Sequence, residues 1–216
     1  MDLKIIIIII FSAVSVIYLY TLSGKPGKLQ FILKSCLMPL LLGIYITGSW
    51  PDNIFWPVVL ALVFAWIGDV LLLKITSILW FKLGLASFLI GHIFYIIAMY
   101  GFIQFNFTVL IISFITAACL GVIIYKFVKP GKQMRIPVIA YETVILIMAI
   151  FALQLFLSQF IANGLIFGLL IFSGSLCFVI SDTLLALRTF RRAKIYFGVM
   201  ITYIAAQLLI TLGFMI

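Results

Sequence analysis

The sequence predicts an all-α polytopic membrane protein of about eight transmembrane helices, from its composition and the length of its apolar runs. Of its 216 residues, 67% are hydrophobic and 9% are charged, and the mean hydropathy is +1.41. A soluble domain carries roughly a quarter charged residues, so this chain lacks the side chains for a water-facing surface. The apolar runs are continuous over about 20 residues, which suits spanning helices better than the short alternating strands of a barrel. Because lipid offers no hydrogen-bond partners, such helices also satisfy their own backbone groups.

Loop signals divide the chain into eight predicted helices with almost no sequence outside them. The first apolar run, from about Leu3 to Leu22, is too long for the core of a typical signal peptide and lacks a small-residue cleavage site. We therefore interpret it as the first spanning helix and expect one transmembrane helical domain over residues 1–216. The predicted helices cover about residues 3–22, 29–48, 54–73, 81–102, 106–127, 136–157, 163–187 and 194–215.

The basic residues predict how the helices are oriented. Of the 14 Lys and Arg residues, 12 fall in the odd-numbered loops, and the exceptions are Lys4 and Lys34. The even-numbered loops carry none, and the second contains Asp52. By the positive-inside rule, both termini of this multi-pass cell (inner) membrane protein are expected outside the cytoplasm. The same distribution accounts for the net charge of +9 without a nucleic-acid partner. The loop residues are Lys25, Lys28, Lys74, Lys82, Lys126, Lys129, Lys132, Arg135, Arg188, Arg191, Arg192 and Lys194.

The two halves of the chain are consistent with a tandem repeat of four helices each. Gly68-Asp69 near the end of the third predicted helix is similar to Ser181-Asp182 near the end of the seventh, and the aspartates are 113 positions apart. Four helices per unit preserve orientation, so this 4+4 repeat would be parallel. Short matches are common in apolar sequence, and the repeat therefore stays open. Two further pairs share nearly the same offset: Lys34 with Glu142, and Gly84 with Gly198.

Five ionisable side chains fall inside predicted spans: Lys34, Asp69, His92, Glu142 and Asp182. Each costs roughly 2.5–3.5 kcal/mol on insertion scales, so a functional role is the default interpretation. Spacing from the basic loops places the lysine and the three acids roughly 8–10 Å from the cytoplasmic helix ends, and the histidine roughly 15 Å, at about 1.5 Å rise per residue. This common depth favours one polar cavity, in which the two aspartate carboxyls lie within roughly 10 Å of each other.

Structural explanations for these residues also stay open. Lys34 could snorkel to the interface, and His92 could make an interhelical hydrogen bond. The acids could belong to a buried salt-bridge network that holds the helices together. However, one lysine does not neutralise three carboxylates, so we expect at least one protonated carboxyl at neutral pH. A protonated and an ionised carboxyl together are the arrangement that general acid–base chemistry uses.

Other polar residues give supporting candidates but no second kind of site. Tyr95 lies three residues after His92, and Tyr203 and Gln207 lie with Tyr196 on one stripe of the eighth helix. A single histidine without a close i, i+3 or i, i+4 ligand partner predicts no metal site, and the chain has no phosphate loop or dinucleotide motif. Three cysteines inside apolar segments are interpreted as packing residues: Cys36, Cys119 and Cys177.

Six groups of residues follow one another along the predicted helices: Lys34 with Pro39, Gly68-Asp69 with Leu71-Leu72, Gly91-His92 with Tyr95, Tyr141-Glu142, Ser181-Asp182 with Leu184 and Ala186, and Tyr203 with Ala206-Gln207. In order and spacing they resemble the YhhN family of membrane proteins, which includes the lysoplasmalogenases. The resemblance covers nearly the whole chain, including its length and helix number. One departure is Lys34-Ser35, where the family pattern would have Lys-Pro, and it affects only the local helix geometry.

The resemblance implies hydrolysis of the vinyl ether bond of lysoplasmalogens, which gives a fatty aldehyde and glycerophospho-ethanolamine or glycerophospho-choline. It implies that the catalytic residues are Asp69 and Asp182. A carboxyl would protonate the alkenyl carbon, and a carboxylate would stabilise the oxocarbenium ion and activate water, as in glycosidases. The expected partners are the lysophospholipid substrate and membrane lipid, with no cofactor or metal. We expect substrate-binding or supporting roles for Lys34, His92, Tyr95, Glu142, Tyr203 and Gln207.

The main alternative is a proton-coupled transporter of a small or lipid-like solute, since acid and histidine relays also serve transport. Charges nearer one surface than the midplane favour a site open to one side, and hence the hydrolase. A structural or lipid-binding protein is a third interpretation, but it leaves three buried acids without a role.

Overall fold

The computed structural model describes residues 3–24, 27–49, 54–73, 78–161 and 164–216, and in these ranges the regular secondary structure is helical. Eight helices within the described ranges are long and apolar enough to cross a membrane, which confirms the predicted all-α polytopic fold. A short 3-10 turn, Lys132–Met134, precedes the sixth helix. The helices are α1 (Leu3–Thr21), α2 (Lys28–Ser49), α3 (Trp56–Leu73), α4 (Ile78–Tyr100), α5 (Phe107–Val128), α6 (Arg135–Ile161), α7 (Leu165–Arg191) and α8 (Tyr196–Gly213).

The helix ends lie close to the predicted ones, but several extend into what we predicted to be loops. The largest differences are at the ends of α6 and α7, which continue to Ile161 and Arg191. The assignment of 12 basic residues to loops was therefore wrong for six of them. Cationic heads on long aliphatic stems reach outward from the ends of a spanning helix, and Lys126, Arg188 and Arg191 are also favoured by their place in the last turn of a helix. The residues assigned to loops that lie in α-helices instead are Lys28, Lys82, Lys126, Arg135, Arg188 and Arg191. Lys25, Asp52 and Lys74 lie outside the described residues.

Helix α5 shows how local chemistry determines where a spanning helix begins and ends. Asn106 caps its first turn, because its side-chain oxygen accepts a 3.1 Å hydrogen bond from the Val109 amide. The helix ends at Lys129, which adopts a left-handed conformation with φ 47° and donates its N–H to the carbonyl of Tyr125. Pro130 follows and does not continue the helix.

The chain forms two compact units. The first contains the described residues up to Phe94 together with Met215, and the second contains Tyr95–Phe214 with Ile216. The division falls inside α4, close to the junction of the two halves of the suggested 4+4 repeat. The repeat itself stays a prediction.

In the first unit, α2 packs against both α1 and α3, and small residues bring α3 and α4 together. A Cβ atom added to Gly91 would lie 3.2 Å from the carbonyl oxygen of Ala61, so a side chain larger than that of glycine would crowd this contact. Ser87 donates a 2.6 Å hydrogen bond to the carbonyl of Phe64 across the same interface. Close backbone approach through small residues is how membrane helices associate without a hydrophobic driving force.

In the second unit, α7 packs against α6 and α8, and α5 is the least enclosed helix. At the α7–α8 contact, a Cβ atom on Gly174 would lie 3.0 Å from the carbonyl oxygen of Ala206. Only 6% of the spanning window of α5 is buried, compared with 33% for α7. Helix α5 therefore rests on its neighbours along a narrow face and leaves open space beside α6.

The segment before α5 is attached to α6 by buried amide and hydroxyl groups. The backbone N–H of Asn106 donates to Oε1 of Gln154 at 3.2 Å, and the backbone N–H of Gln104 donates to Oγ of Ser158 at 2.9 Å. These bonds satisfy backbone groups of the segment between α4 and α5.

The interpretation of all three cysteines as packing residues was wrong for two of them. Cys36 and Cys119 are exposed, Cys177 is half-buried, and all three are free thiols. Helix periodicity explains the error, because an apolar segment has an outward face as well as a packed one.

Candidate active-site residues in the two units

In the first unit, Lys34 of α2 and Asp69 of α3 form a buried ion pair. The ammonium Nζ lies 3.1 Å from the carboxylate Oδ1. The residues are 6% and 1% exposed. The alternative in which Lys34 snorkels to the interface is therefore wrong. The pair matches the structural alternative of a salt bridge between helices, and it also places a carboxylate at a position that the sequence resemblance marks as catalytic.

Beside this pair, a hydrogen bond from a tryptophan on α3 compensates for a proline in α2. Pro39 lies inside α2 and has no N–H to donate to the carbonyl of Ser35, four residues earlier. The indole Nε1–H of Trp66, on α3, donates to that carbonyl at 2.9 Å instead. A side chain of one helix thus satisfies the acceptor that the proline leaves in the other. The sequence carries a signal for this contact, since a proline in a spanning helix always frees the carbonyl four residues before it.

His92 of α4 is also buried, with 2% of its surface exposed. Its Nδ1 lies 2.6 Å from the carbonyl oxygen of Phe88, one turn earlier in the same helix. A carbonyl only accepts, so Nδ1 carries the proton in this contact. This bond lies within α4, and the interhelical hydrogen bond that we considered from the sequence stays a prediction.

In the second unit, Asp182 of α7 is held by a tyrosine from α6. The hydroxyl of Tyr141 donates to Oδ2 of Asp182 at 2.6 Å, and the tyrosine is buried. Beside it, Ser181 donates to the carbonyl of Val199 on α8 at 3.0 Å. The tyrosine was noted in the sequence only as the neighbour of Glu142, so the partner of this aspartate was missed. Its signal was a phenolic hydroxyl, a hydrogen-bond donor, inside a spanning helix.

Tyr95 and Gln207 form another buried pair of the second unit. The tyrosine hydroxyl donates to Oε1 of the amide at 2.6 Å, and each residue is 1% exposed. The ring of Phe178 lies between Tyr95 and Tyr203, with centroid distances of 6.2 and 6.0 Å. The three predicted supporting residues therefore occur together around one phenylalanine, although Tyr196 of the same predicted stripe is stacked under Arg188.

Glu142 has different surroundings from its neighbour Tyr141. It lines a groove between α5 and α6, whereas Tyr141 contacts α7. Successive residues of an α-helix point about 100° apart, which explains the separation. The supporting role of Glu142 stays a prediction, as does the separation of roughly 10 Å between the carboxyls of Asp69 and Asp182, a distance at which two carboxyls act on one substrate.

Residues 29–214 match the model of the YhhN family. No curated protein and no solved structure gave a match. The matched range includes every candidate residue described above.

Proposed function

The chain belongs to the YhhN family, and on that premise we propose that it hydrolyses the vinyl ether bond of lysoplasmalogens. The products are a fatty aldehyde and a glycerophospho-ethanolamine or glycerophospho-choline. One observation carries the proposal beyond family membership: two aspartates within spanning helices are each held by a polar side chain from the neighbouring helix of the same unit. Lys34 holds Asp69, and Tyr141 holds Asp182. Positioned carboxyls of this kind suit proton transfer.

The different partners suggest different roles for the two aspartates. Asp69 is the carboxylate of an ion pair, so we assign it the stabilisation of positive charge and the activation of water. Asp182 is hydrogen-bonded to a phenol, a neutral group, and we assign it the delivery of the proton. Glycosidases divide the work between two carboxyls in the same way around a similar cation.

The reaction balances with these two groups and one water molecule. The carboxyl proton of Asp182 goes to the alkenyl carbon that is not bonded to oxygen, and the C=C electron pair forms the new C–H bond. This step leaves an oxocarbenium ion, which the carboxylate of Asp69 stabilises. Water adds to the cationic carbon and gives a proton to the protein, forming a hemiacetal. Collapse of the hemiacetal breaks the bond to the glycerol oxygen, which takes up the proton that the hemiacetal hydroxyl loses as it becomes the aldehyde carbonyl. The proton released by water restores the carboxyl of Asp182.

The test uses the purified chain in detergent with an alkenyl lysophospholipid, assayed for free aldehyde. The matched 1-alkyl and 1-acyl lysophospholipids serve as controls, because neither contains the vinyl ether. In D₂O, protonation at carbon should place one deuterium beside the aldehyde carbonyl. Release of aldehyde without a transmembrane gradient would also separate hydrolysis from proton-coupled transport. Absence of aldehyde, or aldehyde without that deuterium, would contradict the proposal.

A further inference from the structure

Basic residues are concentrated at the end of the second unit where α5 and α7 end and α6 and α8 begin. Of the 14 Lys and Arg residues of the chain, eight fall within residues 126–135 and 188–194, and neither segment contains an acidic residue. Seven of the eight side chains are exposed, and that of Arg188 is half-buried. We call these eight residues the basic cluster: Lys126, Lys129, Lys132, Arg135, Arg188, Arg191, Arg192 and Lys194.

A hydrogen bond between two helix ends brings the two segments of the basic cluster together. The guanidinium Nε–H of Arg191, the last residue of α7, donates to the carbonyl of Phe127 near the end of α5 at 2.8 Å. Phe127 directly follows Lys126 in the sequence, and Arg191 directly precedes Arg192. Cations of both segments therefore lie next to this contact, and the cluster forms one surface rather than two separate loops.

The connection from α5 to α6 is held to the unit by its apolar residues. Val128, Pro130 and Met134 are buried, whereas Lys129 and Lys132 between them are exposed. The backbone is thus fixed while the ammonium groups stay accessible. Binding of an anion here has to order only the side chains, which keeps its entropic cost low.

Two members of the basic cluster occupy backbone positions that favour glycine. The C-cap residues of α5 and α7 are Lys129, with φ 47°, and Arg192, with φ 56°. In the described part of the chain they are the only residues with positive φ. Glycine is the usual residue at such positions because it has no Cβ atom. A cation also gains from the helix dipole, but Lys126 and Arg191 already supply charge in the last turns. The two left-handed cations therefore favour a ligand outside the helices.

Short connections keep the basic cluster at the level of the membrane surface. Residues 129–134 connect α5 to α6, and residues 192–195 connect α7 to α8. Lys and Arg residues directly beyond spanning helices attract anionic lipids, and basic pockets between such helices bind head groups with several charges. A nucleic acid or an acidic protein would meet the same charges, but lipid head groups are already within reach at this level. Eight cations without a neighbouring acid favour a head group with more than one negative charge.

We propose that the basic cluster binds an anionic phospholipid with two phosphates in its head group, of the diphosphatidylglycerol class. One phosphate would contact the cations at the end of α5, and the other those at the end of α7. The bound lipid would bridge the two helix ends and hold α5, the least enclosed helix of the second unit. This lipid has no vinyl ether, and the cluster contains no member of the Lys34–Asp69 or Tyr141–Asp182 pairs. The inference is therefore independent of the proposed hydrolysis.

The test is native mass spectrometry of the purified, delipidated full chain in detergent with tetraoleoyl-diphosphatidylglycerol. Dioleoyl-phosphatidylglycerol has one phosphate and dioleoyl-phosphatidylcholine is zwitterionic, and both serve as controls. We expect the two-phosphate lipid to be retained in preference to both, with an affinity that falls as salt is added. Equal retention of the three lipids would overturn the proposal. Displacement of the lipid by an equimolar amount of inorganic pyrophosphate would also overturn it, because a free anion would then be the ligand.

A glycine variant separates binding from folding. Lys129→Gly with Arg192→Gly removes two cations at positions whose backbone favours glycine, so thermal unfolding without lipid should occur at or above the wild-type temperature. Each cation near an anionic head group contributes about fivefold in affinity. The double variant should therefore bind the two-phosphate lipid about thirtyfold more weakly. The charge-conserving variant Lys129→Arg with Arg192→Lys should bind it like the wild type.

The matched control is Lys28→Gln with Lys82→Gln, which removes two cations from helices of the first unit. It lowers the net charge by the same amount as the glycine variant, so a general attraction to anionic lipid would weaken equally in both. We expect the control to keep the wild-type affinity. Equal losses in the two double variants, or wild-type affinity of the folded glycine variant, would reject the site.

Discussion

The hydroxyl of Tyr141 on α6 donates a 2.6 Å hydrogen bond to Oδ2 of Asp182 on α7. This aspartate thus accepts a hydrogen bond from a neutral phenol, whereas Asp69 forms an ion pair with the ammonium of Lys34. Replacing a carboxyl by its amide has different consequences in the two settings. Comparing the amide variants of Asp182 and Asp69 therefore separates a catalytic role of these aspartates from a structural one.

Asp182→Asn should be inactive but folded. The asparagine carbonyl still accepts the hydrogen bond of Tyr141, yet the amide does not deliver a proton at neutral pH. General acid–base roles contribute about 10²–10⁴-fold, so aldehyde release should fall by at least that order. Thermal unfolding of the same preparation should stay close to that of the wild type. A variant that retains activity would remove Asp182 from the mechanism.

Asp69→Asn should lose both activity and stability. The substitution leaves the ammonium of Lys34 buried without its carboxylate, and breaking a buried pair in this way costs about 3–5 kcal/mol. The double variant Lys34→Met with Asp69→Leu removes both charges and should recover much of the lost stability while staying inactive. Measurement of the free energy of unfolding for the single and double variants tests this. Equal stability of Asp69→Asn and the wild type would show that the ion pair does not hold α2 against α3.

The outline of this fold could be predicted from the sequence because length and hydropathy determine spanning helices. The partners of individual side chains could not be predicted, because they depend on the rotation of each helix about its axis. Lys34, Asp69, Glu142 and Asp182 were grouped by depth alone. Depth says nothing of rotation, so the Lys34–Asp69 pair and the separate surroundings of Glu142 and Tyr141 became visible only in three dimensions.

Tyr95→Phe should destabilise the second unit modestly. It removes the donor to Oε1 of Gln207, an acceptor that is 1% exposed. Interhelical hydrogen bonds in membrane proteins contribute on average about 0.6 kcal/mol and at most about 1.7 kcal/mol. The double variant Tyr95→Phe with Gln207→Leu also removes the orphaned amide and should be more stable than Tyr95→Phe alone. The single variant Gln207→Leu completes the double-mutant cycle. If the losses of stability in the two single variants add up to the loss in the double variant, the hydrogen bond contributes nothing.

The connection after α5, which includes the 3-10 turn, should face the cytoplasm, and the connection before α5 should face outside. The prediction rests on the basic residues around Lys132 and on their absence from residues 101–106. We propose single cysteines at Lys132 and Gln104 in a variant whose three natural cysteines are replaced. An impermeant maleimide should label Gln104→Cys in intact cells, and Lys132→Cys only after permeabilisation. Labelling of Lys132→Cys in intact cells would reverse the topology and place both termini in the cytoplasm.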